Sequence, residues 1–469
     1  MTEFEREERA LRHAAERALR YRSNMAVAER TPTADYGTIH ASFARAVPEH
    51  GDDPDAIIEE LARLAEPGLR ASTAPRFYGW VIGSSHLTGV AADWLASAWG
   101  QNAANIAASP AASAVEAVVE GWLLDLLDLP REASIGFVTG ATVANTVCLA
   151  AARSELLRRQ GWDVESDGLF GAPDLPVLIG ADAHTTVFTA LKLLGLGSRR
   201  VITVATDDLG RMIPVELERA LAQISRPAIV IGQAGQINTG ASDPFAEIAP
   251  LVRAAGGWLH VDGAFGLWGR ASPLTAAQTA GIEQADSWAT DGHKWLQLPY
   301  DSGFAIVRDS AAHRRAMAVS ASYLPPPVGA ERDPTAYVPE LSRRARGFAA
   351  WAVIRRLGRA GITAMVDQCC AVASRIAAEL ADDRGVTLVA PVMLNQVIVR
   401  FGKGDQADAQ TLAVIEELQA DAVAYAGASL WRGQWVMRIS VSSIATTLAD
   451  ADLTVDAIRR AWAKVQQQG

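Results

Sequence analysis

The sequence predicts an α/β protein built around a mostly parallel sheet. From about residue 134 onward, short runs of β-branched and other apolar residues alternate with stretches of helical periodicity. Apolar strands that alternate with helices indicate parallel strands covered on both faces. The 469 residues suffice for two or three domains. Their composition, 49% hydrophobic and 20% charged, is typical of a globular protein.

Residues 1–75 are predicted to form an N-terminal helical segment. Apolar residues follow one helical face over residues 4–22, and charged residues occupy the other positions. A second helix is predicted to begin with Asp53 as N-cap and Pro54 in the first turn. The first helix has little of its own to pack against. We therefore expect it to lie on another domain or on a partner subunit.

Residues 76–340 are predicted to form the large domain. After a helix over about 110–127, six strands are predicted, at 135–138, 177–179, 201–204, 228–231, 258–261 and 303–307. Helices between them are expected to begin near Thr142, Thr185, Pro214 and Pro244. Ligands of such sheets bind at the carboxyl ends of the strands.

Residues 341–469 are predicted to form a smaller α+β domain. A proline-rich loop at 320–340 precedes it, because prolines exclude both helix and sheet there. The elements predicted in this domain are helices at 346–358 and 362–381, and strands at 395–401 and 435–441.

Charge and cysteine content exclude several classes of function. The net charge of −10 and the scattered basic residues argue against nucleic-acid binding. No apolar run reaches the 18 or so residues of a membrane helix, and the N-terminus lacks an apolar signal core. The three cysteines, Cys148, Cys369 and Cys370, fit a reducing compartment. Cys369 and Cys370 are adjacent without further metal-spaced partners, which favours core packing. We expect a cytoplasmic protein without a metal site.

Lys294 and Asp262 carry the strongest chemical signal. Asp262 ends a predicted strand, and Lys294 follows 32 residues later between His293 and Trp295. A desolvated lysine amine suits Schiff-base formation. A carboxylate suits the ring nitrogen of pyridoxal phosphate (PLP), which must stay protonated to act as an electron sink. Together these residues predict a PLP enzyme, whereas separately they could be a surface lysine and a turn residue.

Gly140, Ala141 and Thr142 lie between a predicted strand and a predicted helix. Backbone N–H groups at a helix start bind phosphate, glycine permits close approach, and the threonine hydroxyl can add a hydrogen bond. Thr142 could equally be a simple N-cap. His184 lies at the next strand-to-helix junction, where it could stack on a planar cofactor or merely begin a helix.

The order of these motifs resembles the group II PLP-dependent amino-acid decarboxylases, which include the aromatic-amino-acid, glutamate and cysteine-sulfinate enzymes. The resemblance covers about residues 70–465. The segments that carry it are the turn at 140–142, His184, residues 260–264, residues 293–295, Ser109-Pro110 with Glu116, and residues 346–351.

The resemblance implies a fold-type-I homodimer with a seven-stranded, mostly parallel sheet and active sites at the subunit interface. It implies that Lys294 forms the Schiff base with PLP, that Asp262 binds the ring nitrogen and that His184 stacks on the ring. Residues that would hold the phosphate are Gly140, Ala141, Thr142 and His293.

Two further groups of residues are assigned by the resemblance. Tyr323, 29 residues after Lys294, falls at a mobile-loop tyrosine that would protonate the substrate α-carbon in the neighbouring subunit's site. The expected substrate pocket includes Tyr78, Trp80, Gly83 and Asn102. The aromatic residues favour an aromatic or bulky substrate, whereas Asn102 and its neighbours would suit a polar one.

Two segments depart from the family pattern. Asp291 stands two positions before His293, where the family often has asparagine, and a carboxylate near phosphate is repulsive unless it faces away or is neutralised. Residues 235–240 replace a threonine-rich run, which leaves the roles of Asn238 and Thr239 open.

The predicted activity is decarboxylation of an L-amino acid to the amine and carbon dioxide. Alternatives on the same scaffold are an aldehyde-forming oxidative decarboxylase, an aminotransferase or a carbon–carbon lyase. A different class is a non-catalytic PLP-binding or scaffold protein, against which the joint presence of Lys294, Asp262 and Tyr323 argues.

The Tyr323→Phe variant tests the predicted proton donor. If Tyr323 protonates the α-carbon, the variant should form less amine and more aldehyde, because loss of the donor favours oxidative side chemistry. Quantifying amine and aldehyde in the same reaction checks this. Unchanged amine formation would contradict the assignment.

Overall fold

The computed structural model describes residues 2–26, 28, 31–318 and 332–468. Its N-terminal helices are α1 (Glu3–Ser23), α2 (Tyr36–Phe43) and α3 (Pro54–Ala65). The predicted caps are present in α3, where the Asp53 side chain accepts a hydrogen bond from Asp55 N–H and Pro54 occupies the first turn. Helices α1 and α3 pack on each other.

Helix α1 turns several apolar side chains away from the rest of the protomer. Phe4, Leu11 and Leu19 are 76%, 70% and 60% exposed. Their helix is held to α3 mainly through charged groups, such as His13 with Asp55 and Glu59. An apolar helix face left open in this way is typical of an interface with another chain.

A seven-stranded sheet forms the centre of the large domain. Its strands are β1 (Ser134–Val138), β2 (Val177–Gly180), β3 (Val201–Val204), β4 (Ile229–Gln233), β5 (Trp258–Asp262), β6 (Ser287–Asp291) and β7 (Gly303–Val307). Their spatial order is β1-β7-β6-β5-β4-β2-β3. Neighbouring strands are parallel from β3 to β6, and β7 runs antiparallel to both β1 and β6. The predicted mostly parallel α/β sheet is confirmed.

Strand β6 is the one strand of this sheet that sequence reasoning missed. Its residues are all buried, yet Ser287, Thr290 and Asp291 are polar and interrupt the apolar run. A short strand of mixed polarity lacks the periodicity on which strand prediction depends. The strand matters because its last residue, Asp291, lies in the functional site described below.

Helices cover both faces of the sheet. In the large domain they are α4 (Leu87–Ala98), α5 (Pro110–Leu126), α6 (Ala141–Arg159), α7 (Val164–Asp167), α8 (Thr185–Leu193), α9 (Pro214–Leu221), α10 (Phe245–Ala254) and α11 (Ser310–Met317). Helix α6 is the most deeply buried of them, because its alanines allow close packing on β5, β6 and β7. Cys148 of α6 is buried in the core, and Cys369 is buried as predicted, whereas Cys370 is partly buried.

The smaller C-terminal part contains a four-stranded antiparallel sheet. Its elements are α12 (Gly347–Ala381), β8 (Val386–Leu388), β9 (Gln396–Phe401), α13 (Ala407–Ala420), β10 (Gly427–Trp431), β11 (Gln434–Ser440) and α14 (Leu448–Gln468). Helix α12 bends at Gly358, where φ is +62°, and this bend separates the two helices predicted at 346–358 and 362–381. Strands β8 and β10 were not predicted.

The segment before α4 joins the two parts of the protein. Tyr78 N–H donates to Tyr425 O, Tyr425 N–H donates to Arg76 O, and Ser440 N–H donates to Tyr78 O. Residues 76–78 are thus bonded to the C-terminal part, and Phe77 forms an isolated parallel bridge with Tyr425. From there the chain continues directly to Val81 and Gly83 at the functional site.

Within these described ranges, no cluster of histidine, cysteine and acidic residues has the arrangement of a metal site. The same part of the chain holds no helix that is both long and apolar enough to cross a membrane.

Candidate active site

A cavity of about 240 Å³ opens at the carboxyl ends of the parallel strands. The loops after β1, β2, β4, β5 and β6 all contribute to it, which is the usual ligand position in this kind of sheet. Its lining residues are Val81, Gly140, Ala141, Thr142, His184, Thr186, Gln233, Gly235, Ile237, Asp262, Ala264, Phe265, Asp291, His293 and Lys294. All the described residues predicted to bind the cofactor are thus brought together.

Lys294 reaches into this cavity from the loop that follows β6. Its ammonium lies 2.9 Å from Asp291 Oδ2, and the lysine side chain is 21% exposed. The residues that follow it, Trp295 and Leu296, are fully buried and anchor the loop in the core. The amine is therefore held on a rigid base but remains accessible from the cavity.

The turn at Gly140 forms a close-packed cradle at the start of α6. A Cβ on Gly140 would lie 3.0 Å from His293 Cε1 and 3.2 Å from Asp291 Oδ1. Gly303 passes behind it, and a Cβ there would lie only 2.5 Å from Gly140 Cα. The N–H groups of the first helical turn have no acceptor within the helix, so they can donate to an anion, and that of Ala141 donates to Asp291 Oδ1. Thr142 adds a hydroxyl to the same lining.

Asp262 ends β5 between two neighbouring strands. It pairs in register with Gln233 on β4 and Ala289 on β6, and its side chain accepts a hydrogen bond from Ala264 N–H. Burial raises the pKa of Asp262, and the nearby His184 and Lys294 act in the opposite direction. A cationic group in the cavity would therefore form a strong ion pair with this carboxylate.

His184 is the N-cap of α8. Its Nδ1 accepts a hydrogen bond from Thr186 N–H and lies 2.8 Å from Thr186 Oγ1. Burial lowers the pKa of His184, with Asp262 opposing that shift. The ring is therefore neutral near neutral pH, and with Nδ1 acting as acceptor the proton resides on Nε2.

His293 completes the cradle. Its Nδ1 accepts a hydrogen bond from Ser302 N–H, and its Nε2 lies 3.4 Å from Asp291 Oδ1. The ring also packs on Tyr300 with 4.3 Å between ring centres. Burial lowers the pKa of His293. Since Nδ1 is the acceptor, Nε2 carries the proton and faces the phosphate cradle.

The residues predicted for the substrate pocket are more dispersed. Tyr78 is buried, its hydroxyl bonded to Thr454 Oγ1, and it does not line the cavity. Trp80 is 52% exposed and packs on Tyr425. Their neighbour Val81, which was not singled out from the sequence, is the residue of this segment that lines the cavity.

Gly83 and Asn102 are not among the residues that line the cavity. A Cβ on Gly83 would lie 1.8 Å from Lys294 O, so this glycine permits the segment to cross the lysine loop. The Asn102 side chain accepts a hydrogen bond from Arg343 N–H and does not line the cavity. Tyr323 lies outside the described residues.

Arg438 is a neighbour of the site that sequence reasoning missed. It lies on β11, and burial lowers the pKa of its guanidinium to about 10. Its charge acts on His184, and within the described chain no carboxylate pairs with it. Its one described hydrogen bond runs from Nη1 to Asn238 Oδ1, at a long 3.5 Å. The signal in the sequence that could have identified it is an arginine between the apolar residues Met437 and Ile439.

Asn238, whose role was open, connects the two parts of the protein, whereas Thr239 bonds within the large domain. Asn238 Oδ1 accepts hydrogen bonds from Ser429 Oγ and Arg438 Nη1. Thr239 Oγ1 donates to Leu209 O. Their neighbour Ile237 lines the cavity instead. The segment thus positions Arg438 and leaves an apolar side chain at the site.

A buried chain of hydrogen bonds lies beneath the cavity. Trp258 Nε1 donates to Ser287 Oγ, Ser287 Oγ contacts His260 Nδ1 at 2.9 Å, and His260 Nε2 contacts Asn145 Oδ1 at 2.9 Å. Asn145 Oδ1 can only accept, so His260 carries its proton on Nε2. The chain connects β5 and β6 to α6, and so fixes the phosphate cradle relative to Asp262.

Comparisons with known proteins agree with this geometry. The family model for the pyridoxal-dependent decarboxylase conserved domain matches residues 37–401. The chain is 28% identical to the aromatic-L-amino-acid decarboxylase of Bacillus atrophaeus over 84% of this chain and 82% of the relative. It is 31% identical to the L-2,4-diaminobutyrate decarboxylase of Rhizobium meliloti (strain 1021), over 77% of this chain and 74% of the relative.

A solved structure shows the same fold. The crystal structure of Oryza sativa TDC with PLP and tryptamine matches with a TM-score of 0.90 over 97% of each chain, at 23% sequence identity.

The buried histidine of the hydrogen-bonded chain should make the protein sensitive to acid. Burial lowers the pKa of His260 from 6.5 to about 3. Between these values the unfolded chain binds a proton that the folded chain does not, so the free energy of unfolding falls as the pH falls. At pH 5 the free energy of unfolding should be about 2 kcal/mol lower than at pH 8, since one pKa unit corresponds to about 1.36 kcal/mol.

Comparison of the wild type with His260→Gln isolates this contribution. Glutamine can keep both hydrogen bonds but does not titrate. The stability advantage of the wild type, measured by urea unfolding at fixed protein concentration, should shrink by about 2 kcal/mol from pH 8 to pH 5. His313, whose pKa burial also lowers to about 3, contributes equally to both proteins and cancels. A difference independent of pH would contradict the prediction.

Proposed function

Because the chain belongs to the pyridoxal-dependent decarboxylase family, and is thus a PLP-dependent carboxy-lyase for an amino acid, we propose that its substrate is an L-amino acid with an aromatic or bulky side chain. The observation that carries this proposal is the convergence on one cavity of the Lys294 amine, the Asp262 carboxylate and apolar side chains, with the Arg438 guanidinium nearby.

The residues present fit the cofactor. The first turn of α6, with the Thr142 hydroxyl and the Nε2–H of His293, offers hydrogen-bond donors to its phosphate. Asp262 would face its ring nitrogen, and His184 its ring. Glycines at 83 and 140 leave space that any Cβ would fill. Lys294 supplies the amine for covalent attachment.

When bound, PLP supplies an electron sink for the electron pair that remains as the carboxylate leaves. The Asp262 carboxylate would hold a proton at the ring nitrogen, because a buried charge gains most when it is paired. His184 stays neutral and would lie against the cofactor ring, where it would exclude water. Rigid placement of these groups determines which bond at the α-carbon is broken.

Arg438 is proposed to orient the substrate carboxylate. It is a substantially buried guanidinium without a carboxylate partner in the described chain, and such a group binds an anionic ligand strongly. Asn238 holds it from one side. Its positive charge helps to lower the pKa of His184, which lines the cavity.

The apolar lining supports an aromatic or bulky side chain. Val81, Ile237 and Phe265 line the cavity, and the carboxylates among the lining residues are Asp262 and Asp291. Asp291 is already paired with Lys294, and Asp262 has its role at the ring nitrogen. No further carboxylate of the described lining is left for a second substrate ammonium, which favours an aromatic substrate over diaminobutyrate.

We also propose that the protein works as a cytoplasmic homodimer. The exposed apolar residues Phe4, Leu11 and Leu19 on α1, with Trp94 and Trp99 near the cavity-forming segments, support an interface between copies. In such a dimer, Tyr323 would act in the neighbouring subunit's site. All three cysteines are free, which agrees with a reducing compartment.

Reconstitution with PLP tests the reaction. The wild type should turn yellow with PLP and release carbon dioxide from aromatic amino acids in a screen of the standard amino acids. The Lys294→Ala variant should lose the visible band and reduce turnover by at least about a thousandfold, since the covalent route is removed. A colourless wild type that ignores PLP would refute the proposed function.

The Arg438→Met variant tests carboxylate recognition. Loss of a charge-assisted hydrogen bond should raise KM by about tenfold to a hundredfold, and Arg438→Lys should restore part of the loss. Arg432→Met is the matched control. It removes an ion pair with Asp182 across the same boundary between the two parts, so KM should change by less than about threefold. Equal effects of both methionine variants would reduce Arg438 to a packing role.

A further inference from the structure

Asp291 is the residue of the lysine motif that the proposed function does not use. Its backbone is fixed, because its N–H donates to Ala264 O and its carbonyl accepts from Trp268 Nε1. Its side chain is buried within the phosphate cradle. There Oδ1 accepts a hydrogen bond from Ala141 N–H at 2.6 Å, and Oδ2 pairs with Lys294 Nζ at 2.9 Å.

Both partners of this carboxylate are groups that the cofactor needs. Ala141 N–H is the first donor of the 19-residue helix α6, at the end where the helix favours an anion. Lys294 is the lysine that attaches the cofactor. The side chain of Asp291 therefore occupies, within the protein itself, the position of an anion in the cradle.

The negative charge of Asp291 would repel the negative charge of a phosphate bound in the cradle. A phosphate ester carries close to two negative charges at neutral pH, and like charges in a poorly solvated site repel strongly. The groups of the described chain that face Asp291 are Ala141 N–H, Lys294 and His293, and burial keeps His293 neutral. Lys294 is thus the one full positive charge in contact with Asp291 among the described residues.

We infer that Asp291 is an internal competitor of the cofactor's phosphate. In the apoprotein it binds the Ala141 N–H and the Lys294 ammonium. It thereby lowers the affinity of the site for the phosphate group of the cofactor. Asp291 acts through its negative charge in the phosphate cradle, and it determines how readily the protein gains and loses its cofactor. The inference rests on the proposed function, since it assumes PLP in this cavity.

The Asp291→Asn variant separates charge from shape. The asparagine oxygen can still accept from Ala141 N–H, but the negative charge is gone. The dissociation constant for PLP, from the absorbance of the bound cofactor, should fall by about tenfold or more. Pyridoxal has the same aldehyde and ring but no phosphate. Its dissociation constant should change by less than about threefold.

Asp243→Asn is the matched control. Asp243 is an equally buried carboxylate that accepts hydrogen bonds from Met212 N–H and Gln233 N–H at 2.7 Å each, without contact to Lys294 or Ala141. Its substitution removes a buried carboxylate away from the cradle. The ratio of the PLP and pyridoxal dissociation constants should therefore stay at the wild-type value in this variant.

A second measurement needs no cofactor. Inorganic phosphate should raise the melting temperature of the Asp291→Asn apoprotein more than that of the wild type, because binding to the folded state stabilises it. In phosphate-free buffer the variant should melt at a lower temperature, since Lys294 has lost its partner.

The outcomes are distinct. The inference would be wrong if Asp291→Asn increased the affinities for PLP and pyridoxal equally, or if it weakened PLP binding. Asp291 would then be a structural cap or a cofactor ligand. If the wild type bound no PLP at all, the proposed function would fail. The effect of inorganic phosphate on the two apoproteins would still decide whether Asp291 competes with an anion.

Discussion

The site depends on the contact between the start of α6 and the end of β6. Ala141 N–H and the Asp291 carboxylate meet there at 2.6 Å, and the same carboxylate holds Lys294. The approach is possible because Gly140 and Gly303 lack side chains where a Cβ would collide. A helix start that donates hydrogen bonds and a loop that carries an amine are thereby placed on opposite sides of one small cavity.

Rigid supports keep this contact in place. The hydrogen-bonded chain from Trp258 through His260 to Asn145 ties α6 to β5 and β6 beneath the cavity. Its members are buried, so breaking one of these bonds leaves a further unpaired polar group in the core. Because Asp262 ends β5 and Asp291 ends β6, the spacing between the two carboxylates follows directly from neighbouring parallel strands.

The small sheet completes the site from the other side. Arg438 on β11 approaches the cavity, and Asn238 of the large domain accepts its hydrogen bond. Arg432 at the tip of the same hairpin pairs with Asp182, two residues before His184. The hairpin that carries Arg438 therefore also contacts the large domain through Arg432.

The sequence alone predicted the mostly parallel α/β sheet and several residues that line the cavity, because apolar periodicity and glycines at strand-to-helix turns are local signals. It also pointed to Asp262 at the end of a predicted strand and to Lys294, 32 residues later between His293 and Trp295. Tertiary structure alone decided the places of β6, Arg438, Asp291 and Tyr78. Strand β6 is too polar to recognise, and Arg438 reaches the site from a strand far along the chain. Whether a side chain such as Tyr78 points into a cavity or into the core depends on packing between distant segments, which no local pattern contains.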